Sequence, residues 1–227
     1  MAIKLWKKIP VNIRRWIIGI IFWIVSILSA FAVGTVYPNK WIVNKIETDI
    51  TKRIQNEWKQ YGFFEPEMNY VDNASFIQAV TKCIDYVNLT TPPEQRIPRE
   101  IIVAMAILET GYGKSRFAMQ GNNLFGIRTW NKDEAQLKPK DNPDVEWGVK
   151  TYITKCQSVK DMVSIINKLS VYQGFRDKRA DQLSSGTIDI SELIDELSKW
   201  STNPKYTMLV KSKAKEAQKI LAENLPK

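Results

Sequence analysis

One carboxylate in this 227-residue chain lies where burial would change its chemistry. Glu109 follows the apolar residues 104–108 and precedes two glycines, so it falls near the C-terminal end of a predicted helix. Apolar neighbours and the negative end of the helix dipole would both raise the pKa of this carboxyl. A carboxyl that stays protonated near neutral pH can act as a general acid. The alternative is a surface glutamate or a structural partner of Arg116 or Arg128.

The composition excludes several other kinds of chemistry. The sequence contains no histidine, which excludes Ser-His-Asp and Cys-His nucleophile systems and every histidine-ligated metal site. Cys83 and Cys156 are too few for a four-thiolate zinc site or a disulfide scaffold. These two thiols either pair in an oxidising compartment or stay buried as small apolar side chains. Catalysis would then depend on carboxylates, tyrosine, lysine, hydroxyls or backbone dipoles, and no metal or organic cofactor is required.

The elements that must position Glu109 are predicted to be mostly helical. Hydrophobic residues make up 44% of the chain and charged residues 25%, which supports a packed core. Residues 126–154 contain alternating and turn-like pieces with prolines, which predict a small β-hairpin or extended loop. Gly62 and Pro66 end an amphipathic helical stalk that precedes the main domain. Periodicity predicts helices over residues 41–61, 75–88, about 98–111, 158–169, 191–200 and 211–224.

An apolar stretch precedes these helices. Residues 16–36 are 21 residues without a charge, enough to span the roughly 30 Å hydrocarbon core of a membrane as a helix. Trp16, Tyr37 and Trp41 stand at its ends, where aromatic side chains favour the lipid–water interface. The alternative is a signal peptide with a small-x-small cleavage site at residues 30–32, but the stretch exceeds the usual apolar region of such signals. We therefore expect a retained single-pass anchor.

The net charge of +9 is unevenly distributed. The five basic residues before the apolar stretch have no acidic counterpart, which predicts a cytoplasmic N-terminus and an exported remainder. Residues 37–227 carry a net charge of +4 without a basic stripe, which argues against a nucleic-acid partner. The predicted organisation at the inner (cytoplasmic) membrane is a cytoplasmic basic segment (1–15, with Lys4, Lys7, Lys8, Arg14 and Arg15), a transmembrane helix (16–36), a helical stalk or linker (37–70) and an extracytoplasmic catalytic domain (71–227).

Four separated motifs follow one another over roughly residues 72–225. They are ILETGYGKSRFA at 107–118 with GNNLFGI at 121–127, SVKD at 158–161, Tyr172 with Phe175 and Arg176, and STNPKY at 201–206. In type and order they resemble the signature of the exported peptidoglycan glucosaminidases, glycoside hydrolase family seventy-three, especially its Bax- and FlgJ-like members. A match at four separated motifs is far more specific than any single pattern.

The resemblance implies a mainly α, lysozyme-like α+β fold with a small β-hairpin lobe. It also implies a hydrolase that cleaves β-1,4 bonds after N-acetylglucosamine in peptidoglycan glycan strands, with Glu109 as the catalytic acid. Glycosidases generally need a second group across the sugar, and family members place an acid in a mobile β-lobe. In this sequence Glu146 is the first choice and Asp144 the second. Tyr206 matches a family tyrosine that would orient the substrate's acetamido group or a water.

Other residues of these motifs are predicted to bind the sugar chain. Asn122 and Asn123 offer amides to sugar hydroxyls, although the pair could simply form a turn. Phe125 offers an aromatic face to a pyranose ring. Trp147, like Trp130, is either a sugar platform or part of the lobe core.

Two other functions stay open at this point. A lytic transglycosylase also uses one glutamate in a lysozyme-like fold, but the motifs at 121–127 and 201–206 favour a glucosaminidase. Trp200 and Asn203 depart from the family pattern, where tyrosine and aspartate are usual. The other alternative is a non-catalytic wall-binding or scaffolding protein of an envelope or phage assembly. The intact Glu109 motif argues against it, while Asn203 and the open choice of the hairpin acid keep it as an alternative.

Overall fold

The structure is a computed structural model that describes residues 10–36, 40–60 and 63–223. The chain divides into two compact units, Met1–Tyr61 and Gly62–Lys227. The predictions that concern Lys4, Lys7, Lys8, Tyr37, Gly62 and residue 224 lie outside the described residues.

The N-terminal unit contains two helices in its described part, α1 (Val11–Val36) and α2 (Lys40–Gln60). Helix α1 begins five residues before the predicted uncharged stretch and includes Arg14 and Arg15. Its apolar side chains are exposed, and residues Val11–Phe31 are long and apolar enough to cross a membrane. By length and composition it fits a single-pass anchor or a signal segment. Helix α2 confirms the helix predicted over residues 41–61, and its role as a stalk stays a prediction.

Seven helices form most of the described second unit. Helix α3 begins after Asp72, whose carboxylate accepts a hydrogen bond from the Ser75 amide at 2.7 Å in a capping box. The helices are α3 (Asn73–Asn88), α4 (Arg99–Thr110), α5 (Arg116–Gly121), α6 (Lys155–Lys168), α7 (Gln173–Ser185), α8 (Ile190–Asp195) and α9 (Tyr206–Glu223). Short 3₁₀ turns lie at Pro93–Gln95, Ser170–Tyr172 and Ser198–Trp200.

Helix α4 is the centre of the core. Its residues 101–107 are all buried, since the helix is apolar on every face. It packs mainly against α9 and also against α3. This burial fixes the C-terminal end of α4, and with it Glu109, relative to the rest of the unit.

A small antiparallel sheet follows α5. Its strands are β1 (Arg128–Thr129), β2 (Gln136–Leu137) and β3 (Gly148–Lys150), in the order β1-β3-β2. In the register, Arg128 pairs with Val149 and Gln136 pairs with Lys150. The sheet confirms the predicted β element and shows three strands instead of one hairpin, because β3 returns between the first two. The fold class, mainly α with a small β lobe after one apolar helix, is confirmed.

A disulfide bond joins Cys83 in α3 to Cys156 in α6 across 73 residues. Of the two states that the sequence allows for these cysteines, paired or free and buried, the structure shows the paired one. The bond fastens the helix that leaves the sheet, α6, to the helical core.

Candidate active site

Glu109 is the penultimate residue of α4. The helix ends in a left-handed turn at Gly111 (φ 56°, ψ 53°), whose amide donates to the Ile107 carbonyl at 2.8 Å. The Glu109 side chain is half-buried, and burial raises the pKa of its carboxyl. The Tyr206 hydroxyl and the positive charge of Arg128 oppose this rise. The structure thus gives Glu109 the apolar surroundings that the sequence predicted.

Tyr206, the first residue of α9, faces Glu109. Its side chain is 3% exposed, and its hydroxyl makes no hydrogen bond of ordinary geometry to the described residues, although it lies close enough to Glu109 to lower the pKa of that carboxyl. Burial and the nearby Glu109 charge raise the pKa of Tyr206, so the hydroxyl stays protonated. A buried hydroxyl without a partner is costly, and such groups often belong to binding sites. The structure therefore brings these two predicted site residues together.

Tyr172 lies near Tyr206, and Trp200 packs against Tyr172. Tyr172 adds to the rise in the pKa of Tyr206, and burial raises the pKa of Tyr172 itself to about 12. The ring of Trp200 packs against that of Tyr172 at 6.0 Å between centroids. The tryptophan that departs from the family pattern therefore contributes packing behind the candidate site.

The GNNLFGI motif places a glycine against Glu109. Gly126 has a φ of +64°, and a Cβ at this position would lie 3.6 Å from Oε2 of Glu109. The glycine thus permits the left-handed backbone, and the loop lies in van der Waals range of the carboxyl.

Asn123 supports this loop from inside. It is fully buried, and its amide nitrogen donates to the carbonyls of Ile127 and Lys150 at 3.0 and 2.8 Å. Its oxygen accepts from the amides of Phe125 and Ile127 at 3.1 and 3.2 Å. Phe125 is 1% exposed and belongs to the core. In this structure both side chains point into the protein, and Asn123 holds the loop through its hydrogen bonds. Their contact with a sugar stays a prediction.

Asn122 also makes contacts within the chain. It adopts a left-handed conformation after α5, and its amide donates to the carbonyls of Tyr152 and Ile153, both at 3.0 Å. Its oxygen accepts from the Lys155 ammonium at 3.3 Å. Asn122 therefore forms a turn in this structure, and its contact with a sugar stays a prediction.

Arg128 and Trp147 form a pair on the sheet. The Arg128 guanidinium carbon lies 3.9 Å from the centre of the Trp147 ring. The Lys138 ammonium donates to the carbonyls of Val145 and Trp147 at 2.8 and 3.0 Å and so fixes the chain beside this ring. Trp130, the other predicted platform, is 64% exposed. From the sequence, Arg128 is predicted only as a structural partner of Glu109. Its position two residues after Gly126 is the signal that could have identified it as a site residue.

The two predicted second acids lie in the loop between β2 and β3. Asp144 and Glu146 are both exposed, and in the described part of the chain no hydrogen bond or ion pair holds either carboxylate. The structure does not bring either of them into contact with Glu109. The role of this loop stays a prediction.

Three surface cavities of the second unit have volumes of about 730, 700 and 580 Å³. Neither Glu109 nor Tyr206 lines any of these three. The smallest lies beside the turn that follows Glu109, where Tyr112 and Gly113 contribute to it. Within the described ranges, no group of three or more carboxylates and thiols is placed to hold a metal ion.

A half-buried acid thus lies at the end of a central buried helix, with a small antiparallel sheet following in the same mainly helical unit. The chain belongs to the glucosaminidase family, described as mannosyl-glycoprotein endo-β-N-acetylglucosaminidase, which matches residues 91–219. Its domain is accordingly a glycoside hydrolase domain by family.

Two individual proteins are similar to this chain. Protein Bax of Escherichia coli (strain K12) is 25% identical over 131 residues, which cover 57% of this chain and 46% of Bax. The match thus spans about half the length of that relative. The catalytic domain of the autolysin Auto from Listeria monocytogenes is 14% identical, with 74% of this chain and 95% of that domain covered at a TM-score of 0.48.

Proposed function

We propose that this protein is a membrane-anchored endo-β-N-acetylglucosaminidase that cleaves the β-1,4 bond after N-acetylglucosamine in peptidoglycan, with Glu109 as general acid. The observation that carries the proposal is the environment of Glu109. Its carboxyl is half-buried at the end of α4, its pKa is raised by burial, and it faces the Tyr206 hydroxyl. Family membership supports the class of substrate.

Glu109 acts by delivering a proton. The protonated carboxyl donates to the bridging oxygen as the bond to the anomeric carbon breaks, and the leaving sugar departs as an alcohol. Burial favours the neutral form of the carboxyl at the pH of the reaction, because the ionised form would lose its hydration. The open backbone at Gly126 lets the sugar bridge approach Oε2 without a side chain in between.

The second group acts on the far side of the sugar. Glu146, or Asp144 in its place, serves if the β2–β3 loop closes over the substrate, since both carboxylates are exposed and held by no described partner. The substrate's own acetamido group is the other candidate. The unpartnered Tyr206 hydroxyl favours this route, because it can donate to an acetamido oxygen or hold a water near the anomeric carbon.

Muropeptide analysis tests the proposal. Purified sacculi digested with the wild-type protein should yield new reducing N-acetylglucosamine ends. Glu109→Gln should lower the rate by at least about a hundredfold while the circular dichroism spectrum stays unchanged. Glu100→Gln, the same substitution on the first turn of the same helix, is the matched control and should keep its activity. A fully active Glu109→Gln protein would contradict the assignment of the acid.

The same digestion separates the two alternatives. Anhydro-muramyl ends would identify a lytic transglycosylase. This alternative stays open because, among the described residues, no second carboxylate contacts Glu109. Binding to sacculi without release of sugar would identify a wall-binding protein.

A further inference from the structure

Arg128 is placed to meet the substrate directly beside the candidate acid. It lies on β1, two residues beyond Gly126, whose backbone approaches the Glu109 carboxyl. Its guanidinium is held over the Trp147 ring at 3.9 Å. Its positive charge acts on Glu109, where it offsets part of the rise in pKa that burial causes.

The hydrogen-bonding groups of Arg128 are unused. The sequence has six arginines between residues 63 and 223, and five of them donate from the guanidinium to a carbonyl or a carboxylate of the chain: Arg96, Arg99, Arg116, Arg176 and Arg179. Within that range Arg128 alone has no such partner, and its side chain is exposed. Stacking on an indole uses the face of a guanidinium and leaves its edge donors available for a planar acceptor.

The proposed reaction places a carboxylate-bearing group next to the atom that Glu109 protonates. In the bond after N-acetylglucosamine, the bridging oxygen is O4 of a muramic acid residue. The neighbouring O3 of that sugar carries the lactyl group, to which the stem peptide is attached. An acid on the lactyl group or on the first residues of the peptide therefore lies on the same side of the leaving sugar as the protonated oxygen.

We propose that Arg128, held by Trp147, binds a carboxylate of the muramyl side chain on the leaving-group side and so selects acid-bearing peptidoglycan strands over uncharged ones. This inference rests on the proposed glucosaminidase activity. The carboxylate is that of the lactyl group itself, where the peptide has been removed, or that of the peptide. A bidentate contact between a guanidinium and a carboxylate is strong and directional, and Trp147 restricts the guanidinium before the substrate arrives.

The test compares one glycan preparation in two charge states. Soluble peptide-bearing strands are prepared, and half are amidated with carbodiimide and ammonia so that their carboxylates become neutral amides of similar size. Wild-type full-length protein should cleave the native strands with a kcat/KM about tenfold to a hundredfold higher than that for the amidated strands. Arg128→Gln should cleave both preparations equally, at the rate of the wild type on amidated strands. A third preparation, stripped of peptides by an amidase, retains only the lactyl carboxylate and identifies the acid that is bound.

Lys132→Gln is the matched control, because it removes one exposed positive charge from the same lobe. It should discriminate between the preparations as the wild type does. Arg128→Lys keeps the charge without the planar fork and should lose part of the discrimination. The salt dependence of the wild-type protein is a further test. Its preference for native over amidated strands should fall as the salt concentration is raised, because screening weakens a contact at an exposed cation.

Two results would overturn the inference. One is equal cleavage of native and amidated strands by the wild type. The other is an equal loss on both preparations in Arg128→Gln, which would restrict Arg128 to an electrostatic effect on Glu109. Failure of the proposed function itself is distinct, because the wild type would then release no reducing ends from any preparation.

Discussion

Glu109 is held where its ionised form is disfavoured, and this has a consequence for stability as well as for catalysis. Burial raises the folded-state pKa above that of an unfolded glutamate, about 4.3. The stability that protonated Glu109 contributes is therefore complete below the unfolded pKa and is lost as pH rises through the folded pKa. A site that functions through a raised pKa weakens the fold at neutral pH.

Glu109→Gln should accordingly be more stable than the wild type at pH 7, and the difference should shrink as pH falls toward 4. The neutral amide carries no charge that burial could penalise. Urea unfolding at several pH values measures this, with Glu100→Gln as the control for loss of a carboxylate on the same helix. A variant that is less stable than the wild type at pH 7 would show that the charge of Glu109 is favourably paired.

The substitution Tyr206→Phe tests whether the Tyr206 hydroxyl serves the reaction or the stability of the fold. The hydroxyl lies beside Glu109 but makes no hydrogen bond of ordinary geometry in the described part of the chain, so its removal should change the free energy of unfolding by less than about 1 kcal/mol. If the hydroxyl contacts substrate, kcat should fall by about tenfold or more. Tyr86→Phe removes the same atom from a partly buried tyrosine on α3 and should affect neither quantity. Unchanged kcat in Tyr206→Phe would exclude a role in the reaction.

Residue types alone predicted some of these features and not others. The burial of Glu109 followed from the apolar residues before it, because an apolar run without a polar face must be covered. The interior positions of Asn123 and Phe125 did not follow, since an asparagine can bind a ligand or its own loop with the same donors. Only the partners found in the structure distinguish the two uses.

At the scale of elements, apolar stripes and apolar runs predicted the helices that contain them. Helix α4 and helix α6 lie within a few residues of their predicted bounds. Helix α7 was not predicted, because its sequence is largely polar and shows no apolar stripe; buried Phe175 and Arg179 hold it in place instead. Helix α9 begins five residues before the predicted start, at Tyr206. The strands were too short for a pattern of alternation to fix their number.

The bond between Cys83 and Cys156 belongs to this scale because it ties α3 to α6. Closing a loop of 73 residues restricts the unfolded chain, so the Cys83→Ala/Cys156→Ala double variant should lose about 2–4 kcal/mol of stability. Guanidinium chloride titration measures the loss. Reduction should destabilise the wild type by a similar amount and leave the double variant unaffected. Equal midpoints of the two oxidised proteins would show that the bond adds nothing to the fold.

At the scale of the whole molecule, the disulfide and the N-terminal helix make one argument about location. Disulfides persist in oxidising compartments outside the cytoplasm. Helix α1 is long and apolar enough to carry the rest of the chain across a membrane, and the basic residues before the uncharged stretch favour a cytoplasmic N-terminus. The two observations come from different parts of the chain and agree on an exported domain.

The redox state of the cysteines therefore reports on export. In a bacterial host, alkylation of the full chain with a thiol-reactive polyethylene glycol should label neither Cys83 nor Cys156 if the domain is exported, because the two thiols would then be bonded in an oxidising compartment. A variant without residues 1–36 should stay in the reducing cytoplasm and take up two labels after denaturation. Replacing residues 1–36 with a cleavable export signal should restore protection without membrane attachment, which separates export from anchoring. Two free thiols in the full-length chain would place the domain in the cytoplasm, away from any peptidoglycan, and would contradict both the predicted topology and the proposed substrate.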